Sequence, residues 1–262
     1  MELQHNTTIP LWNNAPFNTD SNGLPTITPF FPPEWLANGK SIVIFPGGGY
    51  HHFGSLEGDV YAEYFNKAGY TCFVVKYRLC EEHHYPAQLA DALKAVRFVR
   101  SCASQYNLKS DCIGVMGSSA GGHMAVMAST LFNEPIFEDG EDRTVSSRPD
   151  FSVLCYPVVT MLDPYVNAWS RSNLLGDKAD DGELRKHLSG ELAVSAETPP
   201  AFIWHTYEDD GVPVENSMLY ASALRRFNIP FELHIYEKGG HGKGLYQGHP
   251  WSAELIRWLN CF

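Results

Sequence analysis

I-G-V-M-G-S-S-A-G-G-H, residues 113–123, decides how the rest of this chain is read. The apolar run Ile113–Met116 leads into Gly117-Ser118-Ser119-Ala120-Gly121, a G-x-S-x-G pentapeptide, and the small residues Ala120–Ala128 lead out of it. The pattern predicts strand, sharp turn, helix. Glycines two before and two after the central serine let the strand and helix backbones crowd where a Cβ would clash. Ser119 is then expected on a strained turn, its Oγ exposed above a helix N-terminus. A Gly/Ser-rich turn after a strand is often only a turn. The flanking chain therefore has to supply a base, an acid and oxyanion donors.

Composition bounds the answer first. The 262 residues fit one large α/β domain, 1–262, better than two small ones. A hydrophobic content of 44% supports a substantial core. The formal charge of −11 argues against nucleic acid and anionic membrane as partners, because both need basic patches. The N-terminal M-E-L-Q-H-N-T-T has no basic n-region, and no window reaches the roughly 18 apolar residues of a membrane span. Cys72, Cys80, Cys102, Cys112, Cys155 and Cys261 lie far apart without a C-x-x-C, so they read as reduced residues of a cytoplasmic protein.

Along the chain, apolar strands alternate with helical patterns. Residues 1–40 are rich in Asn, Thr and Pro and predict an extended segment, with short pieces near Ile9–Trp12 and Leu24–Phe31 that the prolines make edge strands or loops. Trp12, Phe17, Phe30, Phe31 and Trp35 are expected to pin it to the body. Strands are predicted at 41–45, 70–76, 111–116, 151–156, 201–206 and 231–236. Helices are predicted at 57–68, from Pro86 onward, at 120–131, 214–227 and 250–259. In the second of these Leu89, Leu93, Val96 and Val99 share one face, while Lys94, Arg97 and Arg100 form a stripe read as solvated. Met218, Ala221 and Leu224 are expected to face inward from the helix at 214–227. Residues 158–198 hold no strong strand, only a short helix near Glu183–Leu188, and form the expected cap insertion.

This alternation implies parallel crossovers, with helices on both faces of the sheet. Ligands of such sheets bind outside the carboxyl ends of the strands. The loops after residues 45, 117, 206 and 236 all fall on that rim. A serine hydroxyl needs a base, and the base an orienting acid. The loop after 201–206 offers Glu208, Asp209 and Asp210, of which Asp209 is preferred. The loop after 231–236 offers His241 between glycines. Its rivals are His123, which should point along its own helix, His205, which should pack or support the acid loop, His249, and His51 and His52, which should face substrate. Gly47-Gly48-Gly49 can aim backbone N–H groups at an oxyanion together with the N–H of Ala120. P-G-G-G-Y lacks the Lys-Ser/Thr of a phosphate loop, and no H-E-x-x-H or paired Cys/His spacing occurs, so neither nucleotide, metal nor other cofactor is expected.

The chain resembles the α/β-hydrolases. More narrowly it is similar to bacterial carboxylesterases and acetyl-xylan-esterase-like enzymes, related to the hormone-sensitive-lipase group and the prolyl-oligopeptidase catalytic domain. The matching pieces are P-G-G-G-Y (46–50), Tyr77-Arg78, Y-P-A-Q-L-A-D-A (85–92), G-S-S-A-G-G-H (117–123), T-P-P-A-F-I-W-H-T (198–206), D-D-G-V-P-V-E-N-S (209–217) and K-G-G-H-G (238–242). The resemblance implies an α/β-hydrolase fold, with Ser119 as nucleophile, Asp209 as acid, His241 as base and the 47–49 turn as oxyanion hole. Many relatives have His where this chain has Pro46, so the resemblance leaves open which glycine N–H donates. Gly47 and Gly48 are the expected donors beside Ala120. The substrate implied is a small-molecule short-chain ester, acetylated sugars or xylo-oligosaccharides at family level. Tyr50 and His51 are the expected substrate-binding residues, with His52, Tyr77 and Trp169 also candidates to line the pocket. A prolyl-oligopeptidase-type peptidase is a second reading, and a non-catalytic hydrolase-fold binding protein a third. The residues neither require nor preclude a homo-oligomer.

Overall fold

Phe45 of one strand pairs with Gly117 of its neighbour, and that register organises the molecule. The computed structural model describes residues 3–12, 24–136 and 144–262. Among these, eight strands form one sheet: β1 (Ile9–Pro10), β2 (Thr26–Phe30), β3 (Ser41–Phe45), β4 (Thr71–Lys76), β5 (Ile113–Ser118), β6 (Phe151–Cys155), β7 (Ala201–Thr206) and β8 (Phe231–Tyr236). Their order is β1-β2-β4-β3-β5-β6-β7-β8. From β3 to β8 every neighbouring pair is parallel, as is β3 with β4. β2 runs antiparallel to β4, and β1 to β2. The chain leaves β3 toward β4 on one side and returns to β5 on the other. The turns after β3 and β5 therefore meet at the topological switch point, where such sheets bind ligands.

The helices follow from the apolar pattern. They are α1 (Asp59–Asn66), α2 (Ala87–Cys102), α3 (Ala120–Thr130), α4 (Ala168–Leu175), α5 (Gly182–His187), α6 (Gly190–Ala193), α7 (Glu215–Arg226) and α8 (Trp251–Leu259). One face of the sheet packs on α2, α3 and α7 through Leu89, Leu93, Val96, Met124 and Leu224. The other packs on α1 and α8 through Tyr61, Phe65, Trp251 and Leu255. Ten of the eleven residues of α3 are buried, His123, Met124 and Met127 among them.

Four expectations are corrected. The stripe on α2 is not solvated. Arg97 is 5% exposed. The Lys94 ammonium sits 5.1 Å from the centre of the Trp12 ring, and Arg100 pairs with Asp150 at 2.8 Å. A basic face beside Trp12 and Asp150 finds partners there instead of water. Met218 is 50% exposed, so only Ala221 and Leu224 of that trio face inward. Trp35 is 82% exposed and pins nothing, whereas Trp12 and Phe30 are buried. Phe31 stacks on Tyr106 and packs edge-on to Phe73. Phe17 lies outside the described residues. β2 is not an edge strand. Its proline is tolerated because β1 pairs only with Thr26 and Ile27, leaving Pro29 beyond that short ladder.

Asp91, fully buried on α2, ties the N-terminal segment to the sheet. It accepts from Arg78 Nε at 2.9 Å, Nη2 at 2.7 Å and backbone N–H at 3.0 Å, and from Trp12 Nε1 at 2.8 Å. Asp91→Ala would leave a buried guanidinium without its carboxylate, a loss of about 3–5 kcal/mol. For a chain of this size the melting temperature should fall by roughly 6–20 °C. A calorimetric shift under 2 °C would show that this node carries little stability.

Candidate active site

Ser119 sits at φ 55° and ψ −121°, between the end of β5 and the start of α3. A left-handed backbone at a non-glycine residue is costly and persists only when the surroundings impose it. Here they do. A Cβ on Gly121 would stand 2.0 Å from the Phe45 carbonyl oxygen, so strand β3 and helix α3 pass at backbone distance. The N–H of Ser119 donates to Cys155 O at 3.1 Å, and its carbonyl accepts from Val158 at 3.0 Å.

The structure brings Ser119, His241 and Asp209 together from the ends of β5, β8 and β7. Ser119 Oγ lies 2.8 Å from His241 Nε2. His241 Nδ1 lies 2.8 Å from Asp209 Oδ2 and 3.0 Å from Oδ1. A carboxylate only accepts, so Nδ1 carries the proton and Nε2 is left to accept from the serine. Asp209 Oδ1 also accepts from the N–H groups of Gly211 at 2.9 Å and Val212 at 2.8 Å. Burial pushes the Asp209 carboxyl up. Hydrogen bonds from His205 and His241, the nearby His241 charge and the Val212 N–H outweigh it and hold the group well below the usual carboxylate range.

The other candidates separate cleanly. Glu208 bonds Lys238 at the surface. His249 stacks on Tyr236 with ring centres 4.3 Å apart. His205, fully buried, backs the acid. Its Nε2 lies 3.3 Å from Asp209 Oδ2 and 3.0 Å from Val212 O, while Nδ1 faces Ser217 Oγ at 2.8 Å. His123 is buried too, and burial lowers it to about 4. Its Nε2 donates to Leu188 O at 2.7 Å, so Nδ1 accepts from Tyr50 Oη at 2.7 Å.

That contact corrects one substrate-binding expectation. Tyr50 has no exposed surface, because its hydroxyl turns inward to His123. Tyr77 is likewise buried and donates to Pro46 O at 2.7 Å, fixing the entry to the glycine turn. His51 and His52 are exposed, and both rings flank Trp169, with centres 5.9 and 6.0 Å away. Trp169 is 50% exposed and lies on the glycine turn, since a Cβ on Gly49 would be 2.0 Å from its Cζ3.

Gly47 is also corrected as an oxyanion donor. Its N–H donates to Glu57 Oε2 at 2.7 Å and is spent there. The N–H groups of Gly48 and Ala120 have no partner among the described residues. Gly48 adopts φ +120°, and a Cβ on it would stand 2.1 Å from His52 O.

The sequence reading missed Asn167, Asn173 and Asn216. Asn167 Nδ2 donates to Gly211 O at 2.8 Å, and Asn173 Nδ2 to Gly49 O at 2.7 Å, so the two ends of α4 hold the acid loop and the glycine turn. Asn216 accepts from the N–H groups of Val159 and Thr160 and donates to Tyr165 O. Asn216 and Ser217 both fall in D-D-G-V-P-V-E-N-S, so that motif was the available signal. Nothing marked the other two.

A sheet of this order, with a serine on the turn between β5 and α3, defines an α/β-hydrolase fold. The chain belongs to the BD-FAE family, whose model matches residues 30–224. It is similar to the crystal structure of an acetyl ester-xyloside bifunctional hydrolase from Caldicellulosiruptor lactoaceticus, with 36% identity, a TM-score of 0.89, and coverage of 99% of this chain and 97% of that one. It is 34% identical over 244 residues to an acetylxylan esterase of Xylanibacter ruminicola, covering 92% of this chain and 48% of that protein. It is 40% identical over 204 residues to endo-1,4-beta-xylanase B of Butyrivibrio fibrisolvens, covering 77% of this chain and 32% of that protein. The chain thus spans a third to a half of the length of these two curated relatives. Among the described residues, no helix is long and apolar enough to cross a membrane.

Proposed function

We propose that the protein is a serine carboxylesterase that removes short acyl groups, acetyl above all, from acetylated xylo-sugars. The observation that carries this reading is the 2.8 Å approach of His241 Nε2 to Ser119 Oγ, with Asp209 on the far side of the ring. The likeness to the acetyl ester-xyloside hydrolase, over nearly the whole of both chains, supports the substrate class.

The mechanism is two-step acyl transfer. His241 takes the Ser119 proton as Oγ attacks the ester carbonyl. Asp209 keeps the Nδ1–H tautomer and stabilises the imidazolium. The oxyanion rests on the N–H groups of Gly48 and Ala120, each worth roughly 10²–10³ in rate. His241 then gives its proton to the departing alcohol, and water repeats the cycle on the acyl-enzyme. The six cysteines are all free, which fits a reducing, cytoplasmic location.

Trp169, with His51 and His52 beside it, is the surface on which the sugar lies. Covering roughly 50 Å² of indole at about 25 cal/mol per Å² is worth about 1.2 kcal/mol, or nearly eightfold in affinity. The test is a hydrolysis panel of acetyl, butyryl and octanoyl nitrophenyl esters beside an acetylated xylo-oligosaccharide. Acetyl preference with release from the sugar is expected. Trp169→Ala should raise KM for the sugar ester about eightfold and leave nitrophenyl acetate within about twofold. Preference for octanoyl would make the protein a general carboxylesterase. Turnover of peptide amides but no ester would favour a peptidase.

A further inference from the structure

Glu57 has no part in the triad, yet it sits where three catalytic loops meet. It is 3% exposed, and both carboxylate oxygens are engaged. Oε2 accepts the Gly47 N–H at 2.7 Å, and Oε1 accepts the Tyr156 hydroxyl at 2.7 Å. The Tyr156 oxygen in turn accepts the N–H of Gly244, in the loop that carries His241, at 3.2 Å. The Tyr156 ring packs edge-on to the His241 imidazole, centres 5.1 Å apart. Tyr61 Oη lies 3.4 Å from Tyr156 Oη and 3.2 Å from the hydroxyl of Ser118, the residue before the nucleophile. A Cβ on Gly47 or on Gly54 would come 2.6 Å from Oε2, so the carboxylate fills a slot between two glycines.

We propose that Glu57 is a positioning residue for the oxyanion hole, and that Tyr156 couples it to the loop bearing the base. The geometry of two adjoining peptides gives the reason. Gly47 is held on both sides: its N–H by Glu57, and its C=O by the N–H of Gly54 at 2.9 Å. A trans peptide sets its C=O and the following N–H in opposite directions. Fixing the Gly47 carbonyl toward Gly54 therefore turns the Gly48 N–H the other way. Gly47 itself is close to the nucleophile, since a Cβ on it would stand 3.0 Å from Ser119 Cβ. Without Glu57 the Pro46–Gly47 peptide loses its buried acceptor and can rotate, and the Gly47–Gly48 peptide hinged on it is held at the Gly54 contact alone. The donor at Gly48 is then no longer preorganised, and preorganisation is what makes such a donor effective.

The inference rests on Ser119 acting as the nucleophile. Failure of that reading would appear as turnover surviving Ser119→Ala. Failure of this one leaves Ser119→Ala inactive while the Glu57 variants stay fully active. The experiment compares kcat and KM for nitrophenyl acetate in Glu57→Ala, Glu57→Gln and Tyr156→Phe, with a melting curve for each. Glu57→Ala should lose roughly 10²–10³ in kcat, the value of one oxyanion donor, with KM within about threefold. Glu57→Gln keeps an acceptor for Gly47 and should recover to within about tenfold of the parent. Tyr156→Phe removes one strut without a cavity and should lower kcat by about tenfold, again with little change in KM. A folded Glu57→Ala with parental kcat would overturn the proposal. So would Glu57→Gln as impaired as the alanine variant, which would mean that the charge and not the acceptor matters. If Glu57→Ala does not fold, parental kcat in Tyr156→Phe overturns the coupling, and a strong loss in Glu57→Gln overturns the positioning role.

Discussion

Ser119→Ala is expected to lower kcat on nitrophenyl acetate by about six orders of magnitude, with the melting temperature unchanged. The two halves of this expectation have separate causes. The hydroxyl is the only group of Ser119 that faces His241 Nε2, at 2.8 Å, so its removal deletes the covalent route. The strained backbone, at φ 55°, is imposed by the crossing of β3 and α3 and not by the side chain. Alanine therefore inherits the same turn at the same conformational cost. Residual turnover should come from the oxyanion donors and substrate binding, about 10³–10⁴ over water. Kinetics with fluorophosphonate labelling check both halves. A variant that keeps even one part in a hundred of the parental rate, or that still takes the label, would remove Ser119 from the mechanism.

Asp209→Asn should cost about 10⁴ in kcat while preserving the geometry. Asp209 Oδ1 is claimed by the N–H groups of Gly211 and Val212. In the asparagine variant those two donors hold the amide oxygen on their side and turn the amide nitrogen toward His241 Nδ1. That nitrogen can only donate, so His241 shifts to the tautomer with its proton on Nε2 and can no longer accept from Ser119. The same variant carries a stability signature. The carboxyl is held below its ordinary value: burial opposes this, and hydrogen bonds from His205 and His241 with the His241 charge override it. A group depressed on folding stabilises the native state above its unfolded pKa, about 3.9 for aspartate, and loses that contribution as pH falls below it. Wild type should therefore exceed Asp209→Asn in unfolding free energy at neutral pH, and the gap should close in acid. A gap that widens as pH falls through 4 would contradict the sign of the shift.

Much of the site was legible because its signals are local. Gly117 and Gly121 flank Ser119 within five residues, and His241 stands among glycines at a strand end. Asp209 follows the last residue of β7 by three. The strands at 41–45, 151–156 and 201–206 were readable as unbroken apolar runs, because strands covered on both faces need no polar alternation. The α2 stripe, Tyr50 and Gly47 were misread for a common reason. Each has a local pattern with an ordinary meaning: a charged face, an aromatic after a glycine turn, a glycine N–H near a serine. Each was reassigned by partners outside that pattern: Trp12 and Asp150 for the stripe, His123 for Tyr50, and Glu57 for Gly47.

The order of elements, the turn that carries Ser119 and the loops that hold an acid and a base thus follow from the chain read residue by residue. These depend on backbone conformation and apolar periodicity, which neighbouring residues encode. Where the remaining polar groups are satisfied emerged from the packing of the layers. Gly47 finds Glu57 ten residues on, Tyr50 finds His123 on α3, and Trp12 finds Asp91 on α2. Such pairings follow from which groups burial deprives of water together, and that depends on how the layers pack and not on any window of the chain.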